Sequence, residues 1–178
     1  MKLTEDLEII SYCKEGNTYN LSDSYLRRVF RRVVMEGTVH RVFYDDSVRN
    51  TTDFVDFVKR PENSVFFVKF EDEEVGFFWL SKFIQKSAFI NYCFYKAFWG
   101  KKSLKISQAC LDFILHKKNA YGDYVVEVLL GLTPANNKLA IKLSIQNGMT
   151  VLCKIPGLIT DCRHNKIVDG VLSAIPVL

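Results

Sequence analysis

Three apolar, aromatic runs follow one another with only short polar gaps: Ser64–Phe70 (SVFFVKF), Val75–Phe83 (VGFFWLSKF) and Ala88–Phe98 (AFINYCFYKAF). Each has the length and the β-branched, aromatic make-up of a strand. The gaps, Glu71-Asp72-Glu73-Glu74 and Gln85-Lys86-Ser87, suit hairpins and are too short for a crossover helix. This spacing commits the middle of the chain to an antiparallel meander, whose apolar faces must be covered by other elements.

The flanking periodicities provide those elements. Leu7–Cys13 (LEIISYC) reads as a first strand, ended by Glu15-Gly16-Asn17. A helix is expected from a Ser22 or Asp23 cap to Glu36, with Gly37 as its stop. Its apolar face is Leu26, Val29, Phe30, Val33 and Val34, and its other face carries Arg27, Arg28, Arg31 and Arg32. A short helix fits Thr52 to Lys59, closed by Arg60-Pro61.

After the meander the pattern predicts a helix from about Ser103 to Lys117, with Leu104, Ser107, Leu111 and Ile114 on one side. Tyr124–Thr133 (YVVEVLLGLT) is continuously apolar but for one acid, which suits a strand buried on both faces. Asn137–Gln146 follows as a helix stopped by Asn147-Gly148. Met149–Ile155 and Lys166–Ile175 are the last strands, around a turn at Asp161-Cys162-Arg163-His164-Asn165. The order β-α-α-β-β-β-α-β-α-β-β is that of a single α/β domain spanning residues 1–178, with a mixed, mostly antiparallel sheet and helices on both faces.

Composition bounds the partners. The chain has 178 residues, 48% of them hydrophobic and 25% charged, enough apolar material to exclude disorder as the main state. No apolar run approaches the length of a membrane-spanning helix, and Met1-Lys2-Leu3-Thr4-Glu5-Asp6 lacks the basic-then-apolar pattern of a secretory leader. A cytoplasmic protein is expected. The five cysteines are odd in number and show no ligand spacing, so neither disulfides nor a metal site are expected, and four of them have the apolar neighbours of core residues. A net charge of +4 is too mild to imply nucleic acid, and the arginine face reads as a solvated helix surface. His40, His116 and His164 are scattered and suggest no catalytic triad.

Two segments carry a resemblance. Thr133–Met149 (TPANNKLAIKLSIQNGM) looks like N-x-x-A-x-x-L-Y-x-x-x-G-F, the segment after the fifth strand in the GNAT superfamily of acyl-CoA N-acyltransferases. Asn137, Ala140, Leu143 and Gly148 match, Met149 stands for the aromatic, and Ser144 stands where the family has Tyr. Phe94–Leu104 (FYKAFWGKKSL) is similar in position to the family's V-x-P-x-x-R-G-x-G-x-G loop. Gly100 is kept there, while Lys102 and Leu104 replace the other two glycines. The likeness in element order runs from about residue 22 to 175, and the TPANN style especially resembles divergent GNAT-like proteins of phages and prophages.

The resemblance implies transfer of an acetyl group from acetyl-CoA to a small-molecule or protein amine. It implies a carrier site made of Phe94, Tyr95, Lys96, Gly100, Lys101, Lys102, Ser103, Leu104 and Asn137. Backbone groups of Phe94 and Lys96 would pair with the pantetheine arm, and the helix start after Gly100 would hold the pyrophosphate. For catalysis, Glu127 is the acid inside an apolar run, where burial would raise its pKa towards that of a general base. Ser144 is a poor thiolate protonator, so Tyr92 or Tyr95 substitutes, water does, or no acid is used. The departures at Lys102, Leu104 and Ser144 favour an alternative: a GNAT-fold binding or structural protein, of phage origin, that has lost catalysis.

Overall fold

The computed structural model describes residues 2–4 and 7–176; Met1, Glu5 and Asp6, used above in reading the N-terminus, lie outside that range. The meander forms as the spacing predicts. β5 (Ser64–Phe70), β6 (Glu73–Ile84) and β7 (Ser87–Phe94) pair antiparallel in sequence order. The first turn places Glu71 and Asp72 at φ 53° and 62°, the left-handed pair that closes a tight hairpin in step with strand twist. Gly76 sits in β6 at φ +142°, where a side chain would collide with the carbonyl of Cys93 on β7.

These strands are the centre of an eight-stranded sheet. β1 (Lys2–Thr4) and β2 (Leu7–Ser11) extend it on the β5 side, and β8 (Val128–Pro134), β10 (Lys166–Pro176) and β9 (Thr150–Asp161) on the β7 side, giving the order β1-β2-β5-β6-β7-β8-β10-β9. Every pairing is antiparallel except β7 with β8. A separate small hairpin, β3 (Lys14–Glu15) with β4 (Thr18–Tyr19), follows β2.

Strand alternation sorts the aromatic residues onto two faces. Phe67 and Phe77 are cross-strand partners on one face, where Phe77 meets Phe54 of α3 (Thr51–Lys59), itself stacked on Phe30 of α1 (Asp23–Met35). Phe66 and Phe78 are partners on the other, where Phe66 meets Phe113 of α4 (Lys101–Leu115) edge-on. Helices therefore flank both sides, and α5 (Lys138–Gln146) follows β8.

Ser22 caps α1 by accepting from the Tyr25 N–H, and Leu26, Val29, Phe30 and Val33 are buried as the spacing predicts. Val34 is exposed, because it lies past the edge of that stripe. The arginine face is largely tied down: Arg27 donates to Thr51 and Thr52, Arg28 pairs with Glu74, and Arg32 pairs with Glu36 and lies over the Tyr95 ring.

Several expected boundaries move. The meander's last strand ends at Phe94, and Lys96–Phe98 is one tight helical turn leading into α4, which starts at Lys101. β8 starts at Val128, so Tyr124–Glu127 is not a doubly buried strand. α2 (Val39–Val42) and the β3–β4 hairpin are too short to show a period in sequence. Cys93 and Cys110 are core residues, whereas Cys13, Cys153 and Cys162 are exposed, and all five are free thiols. Among the described residues no helix is long and apolar enough to cross a membrane.

Candidate active site

The one parallel pairing is short. Ser87, Ala88 and Phe89 of β7 face Val128, Leu129 and Leu130 of β8, and beyond them the strands part. From there β7 keeps β6 as its neighbour and β8 keeps β10, so a wedge opens in the middle of the sheet. It holds a cleft of about 570 Å³, within the usual range for small-molecule sites. Residues 90–94 of β7 and 131–134 of β8 form its walls. α2, the start of α4 and one side of α5 close it.

Gly100 is the N-cap of α4 at φ +85°, a conformation that favours glycine, and the space where a Cβ would stand is empty. Having no side chain, it leaves the first-turn N–H groups of a 15-residue helix without a side-chain cap. Ser103 Oγ donates to the Gly100 carbonyl at 2.8 Å and fixes the turn. The helix start is thus a rigid, positively polarised end at the cleft, with Lys101 beside it. Two more cations line the cleft, Arg41 of α2 and Lys142 of α5. Arg41 lies 5.7 Å over the ring of Trp99, the residue before the glycine.

Of the residues singled out in the sequence, Tyr92, Phe94, Gly100, Lys101, Ser103, Leu104, Asn137 and Ser144 come together around this cleft. Asn137 caps α5, its side-chain oxygen accepting from the Ala140 N–H. Ser144 lines the cleft, but its hydroxyl donates one turn back to the Ala140 carbonyl. The hydroxyl of Tyr92 is buried with no hydrogen-bond partner, and burial, then the nearby Cys110, holds its pKa well above the ordinary phenol value.

Four of them lie elsewhere. Glu127 precedes β8 on the surface, 54% exposed, and pairs with Lys86 at 2.6 Å. The burial that was to make it a base is absent, because the apolar run is not yet strand there. Lys102 turns away from the cleft to stand over the Phe98 ring. Tyr95 points into the α1 core and donates to the Val29 carbonyl, so burial raises its pKa. Lys96 is exposed, and its N–H is already given to the Glu36 carboxylate at 2.7 Å, so it is not free for a pantetheine arm.

Sequence reasoning missed Arg41, Lys142, Trp99 and Asn147. Asn147 and Ser107 form a buried pair between the end of α5 and α4, with Asn147 Nδ2 donating to Ser107 Oγ at 2.8 Å. A polar residue at helical spacing on the apolar side of α4, Ser107, was the available signal. Arg41 and Trp99 belong to segments without periodicity, and only the fold brings them to the cleft.

No protein-family model matches the chain, and no curated protein matches it in sequence. Solved structures do match in fold. The ribosomal L7/L12 alpha-N-protein acetyltransferase RimL, solved with coenzyme A, superposes with a TM-score of 0.77 at 12% identity, over 99% of this chain and 97% of its own. The microcin C7 self-immunity acetyltransferase MccE, solved with acetyl-CoA and AMP, gives 0.75 at 13% identity, over 97% and 93%. A GNAT-family acetyltransferase from Bacillus anthracis gives 0.71 at 16% identity, over 97% and 96%. The fold is therefore GNAT-like α/β, as the element order implied; nothing in these matches bears on a phage source.

Proposed function

We propose that the protein is an acetyl-CoA-dependent N-acetyltransferase acting on an amine. The observation that carries this reading is the parting of β7 and β8 beside an uncapped, glycine-started helix. That arrangement offers an extended slot and an anion site at one end of it.

Acetyl-CoA would be the cosubstrate of this cleft. The first-turn N–H groups of α4, Lys101 and Arg41 would hold its phosphates, and Phe94 with the parted strand edges would flank its arm. The buried, partnerless hydroxyl of Tyr92 is a donor awaiting an acceptor. Its raised pKa keeps it a phenol, so it would stabilise the thioester oxygen or the departing sulfur by hydrogen bonding rather than by giving up its proton. Ser144 adds little, since its proton is committed to Ala140.

Two observations favour a second reading, a GNAT-fold binding protein without catalysis: the site lacks the family's phenol at Ser144, and Glu127 stands outside the cleft. Calorimetric titration with acetyl-CoA, with CoA as control and Lys101→Glu as variant, tests the carrier site. Micromolar binding weakened at least about tenfold by the charge reversal is expected, an energy of about 1.4 kcal/mol. No binding at millimolar acetyl-CoA, or an unchanged affinity in the variant, would remove the helix start from the model. Release of thiol with an amine present then separates enzyme from binding protein.

A further inference from the structure

Lys117 lies two residues past the end of α4, and the 15 residues of that helix put about 22 Å between it and the cleft at Gly100. Its backbone is fixed on both sides: the N–H donates to the Ile114 carbonyl at 3.1 Å, and the carbonyl accepts from the Val125 N–H at 2.9 Å. The half-buried ammonium stands 4.8 Å from the centre of the Phe66 ring and 5.4 Å from that of Phe113. Lys59, Lys69, Lys86 and Lys154 each meet a carboxylate, whereas Lys117 pairs with none among the described residues. The rings offer the charge an attractive face but no counter-charge. Burial accordingly lowers the pKa of Lys117, against a smaller opposing effect of nearby Cys13.

The sheet register brings the thiol of Cys13 to the same place. Ser11 of β2 is the cross-strand partner of Phe66, so both side chains point to the α4 side of the sheet. The Tyr12 N–H still donates to the Val65 carbonyl, and Cys13, two residues on from Ser11, returns to that side. Cys13 is exposed, and its thiol donates to the Glu15 carboxylate at 3.8 Å. A solvent-reached thiol thus stands beside an amine that lacks a counter-ion.

We propose that Cys13 and Lys117 form an acyl-relay pair, a modification site outside the cleft at which an acyl thioester acetylates Lys117 by way of Cys13. Near pH 7.5 an ordinary thiol is roughly 10% thiolate and an ordinary lysine only about 0.1% amine, so the thiol meets a thioester first. Sulfur attacks the thioester carbon; a C–S bond to Cys13 forms, and the C–S bond to the carrier breaks with its electron pair leaving on the carrier sulfur. The thiol proton ends on the departing carrier. The neutral Lys117 amine then attacks the same carbon, forming the C–N bond as the bond to Cys13 breaks, and the amine proton returns to the Cys13 sulfur. This second step is intramolecular, and its product is an amide.

The test incubates the whole chain near pH 7.5 with acetyl-CoA and, separately, with the phosphate-free thioester S-acetyl-N-acetylcysteamine. Mass spectrometry of digests follows each lysine over time, with the exposed Lys118, over the Tyr124 ring, as internal standard. Lys117 is expected to be labelled at least about tenfold faster than Lys118 by either thioester, at a rate independent of protein concentration. Cys13→Ser should abolish that advantage. Lys117→Arg, which keeps the charge over the rings, should leave a hydroxylamine-sensitive acetyl group on Cys13. Equal labelling of Lys117 and Lys118, or an unchanged Lys117 rate in Cys13→Ser, overturns the inference. So does labelling by acetyl-CoA alone at a rate that rises with protein concentration, which would assign it to the cleft of another molecule. Because the small thioester reads the pair without the cleft, its result stands apart from the acetyl-transfer reading above.

Discussion

The indole N–H of Trp99 donates to the carbonyl of Phe94 at 2.8 Å, so a side chain at the mouth of the cleft occupies a backbone acceptor on its wall. Trp99 is 39% exposed, and the Arg41 guanidinium lies over its ring. The contact ties the end of β7 to the residue before the α4 glycine, and it competes for an acceptor that a carrier arm would use.

Trp99→Phe keeps the ring and removes the donor. CoA is expected to bind about three- to tenfold more tightly, the value of one net hydrogen bond. Calorimetry checks this; weaker binding would show that the indole helps form the site instead. The variant retains Trp79 as its one tryptophan, so loss of a ligand-dependent fluorescence change would assign that signal to Trp99.

Tyr92→Phe separates structure from chemistry. Deleting a buried, unpartnered hydroxyl should leave stability unchanged or raise it by up to about 1 kcal/mol. Acetyl transfer should nevertheless fall about 10- to 100-fold, mostly in kcat. Thermal unfolding and steady-state rates on one preparation check the pair, and an unaffected rate would reduce Tyr92 to packing.

Glu127→Gln should change neither binding nor transfer by more than about twofold. Its carboxylate and Lys86 are both about half exposed, and solvent screens a surface pair of this kind so that it contributes little. The interaction raises the pKa of Lys86, chiefly through its hydrogen bond to Glu127. A tenfold loss of transfer in this variant would place a base at Glu127 after all.

Asn147→Ala breaks the buried pair that fastens the end of α5 to α4. Ser107 Oγ keeps its bond to the Leu104 carbonyl, so the expected cost is about 1–2 kcal/mol. That corresponds to a Tm lower by roughly 2–8 °C in a domain of this size. A double-mutant cycle with Ser107→Ala should show coupling, since either single variant already removes the hydrogen bonds between the two side chains.

The site was legible in part, and the pattern of successes is physical. Gly100 and Asn137 were reached through the motif resemblance, and the structure gives each a local task, a positive φ and a helix cap, that few residue types perform. Glu127 was misplaced because an apolar run shows composition but not where pairing begins. The strand starts at Val128 rather than at Tyr124, one residue past Glu127, and that shift leaves the carboxylate in solvent. Tyr95 and Lys102 are neighbours in sequence of cleft residues, yet the turn at Lys96–Phe98 and the helical period rotate them away.

By itself the sequence determined the meander, the helices that cover it and the glycine that starts α4. Hydrophobic period and turn chemistry are local, and they act before any long-range contact exists. Only the tertiary structure decided where β7 and β8 separate, that Arg41, Lys101 and Lys142 share one cleft, and that Trp99 reaches the Phe94 carbonyl. Those relations join residues from distant segments through the sheet order. Pairing across that order is set by the packing of the whole core, on which no short stretch of sequence reports.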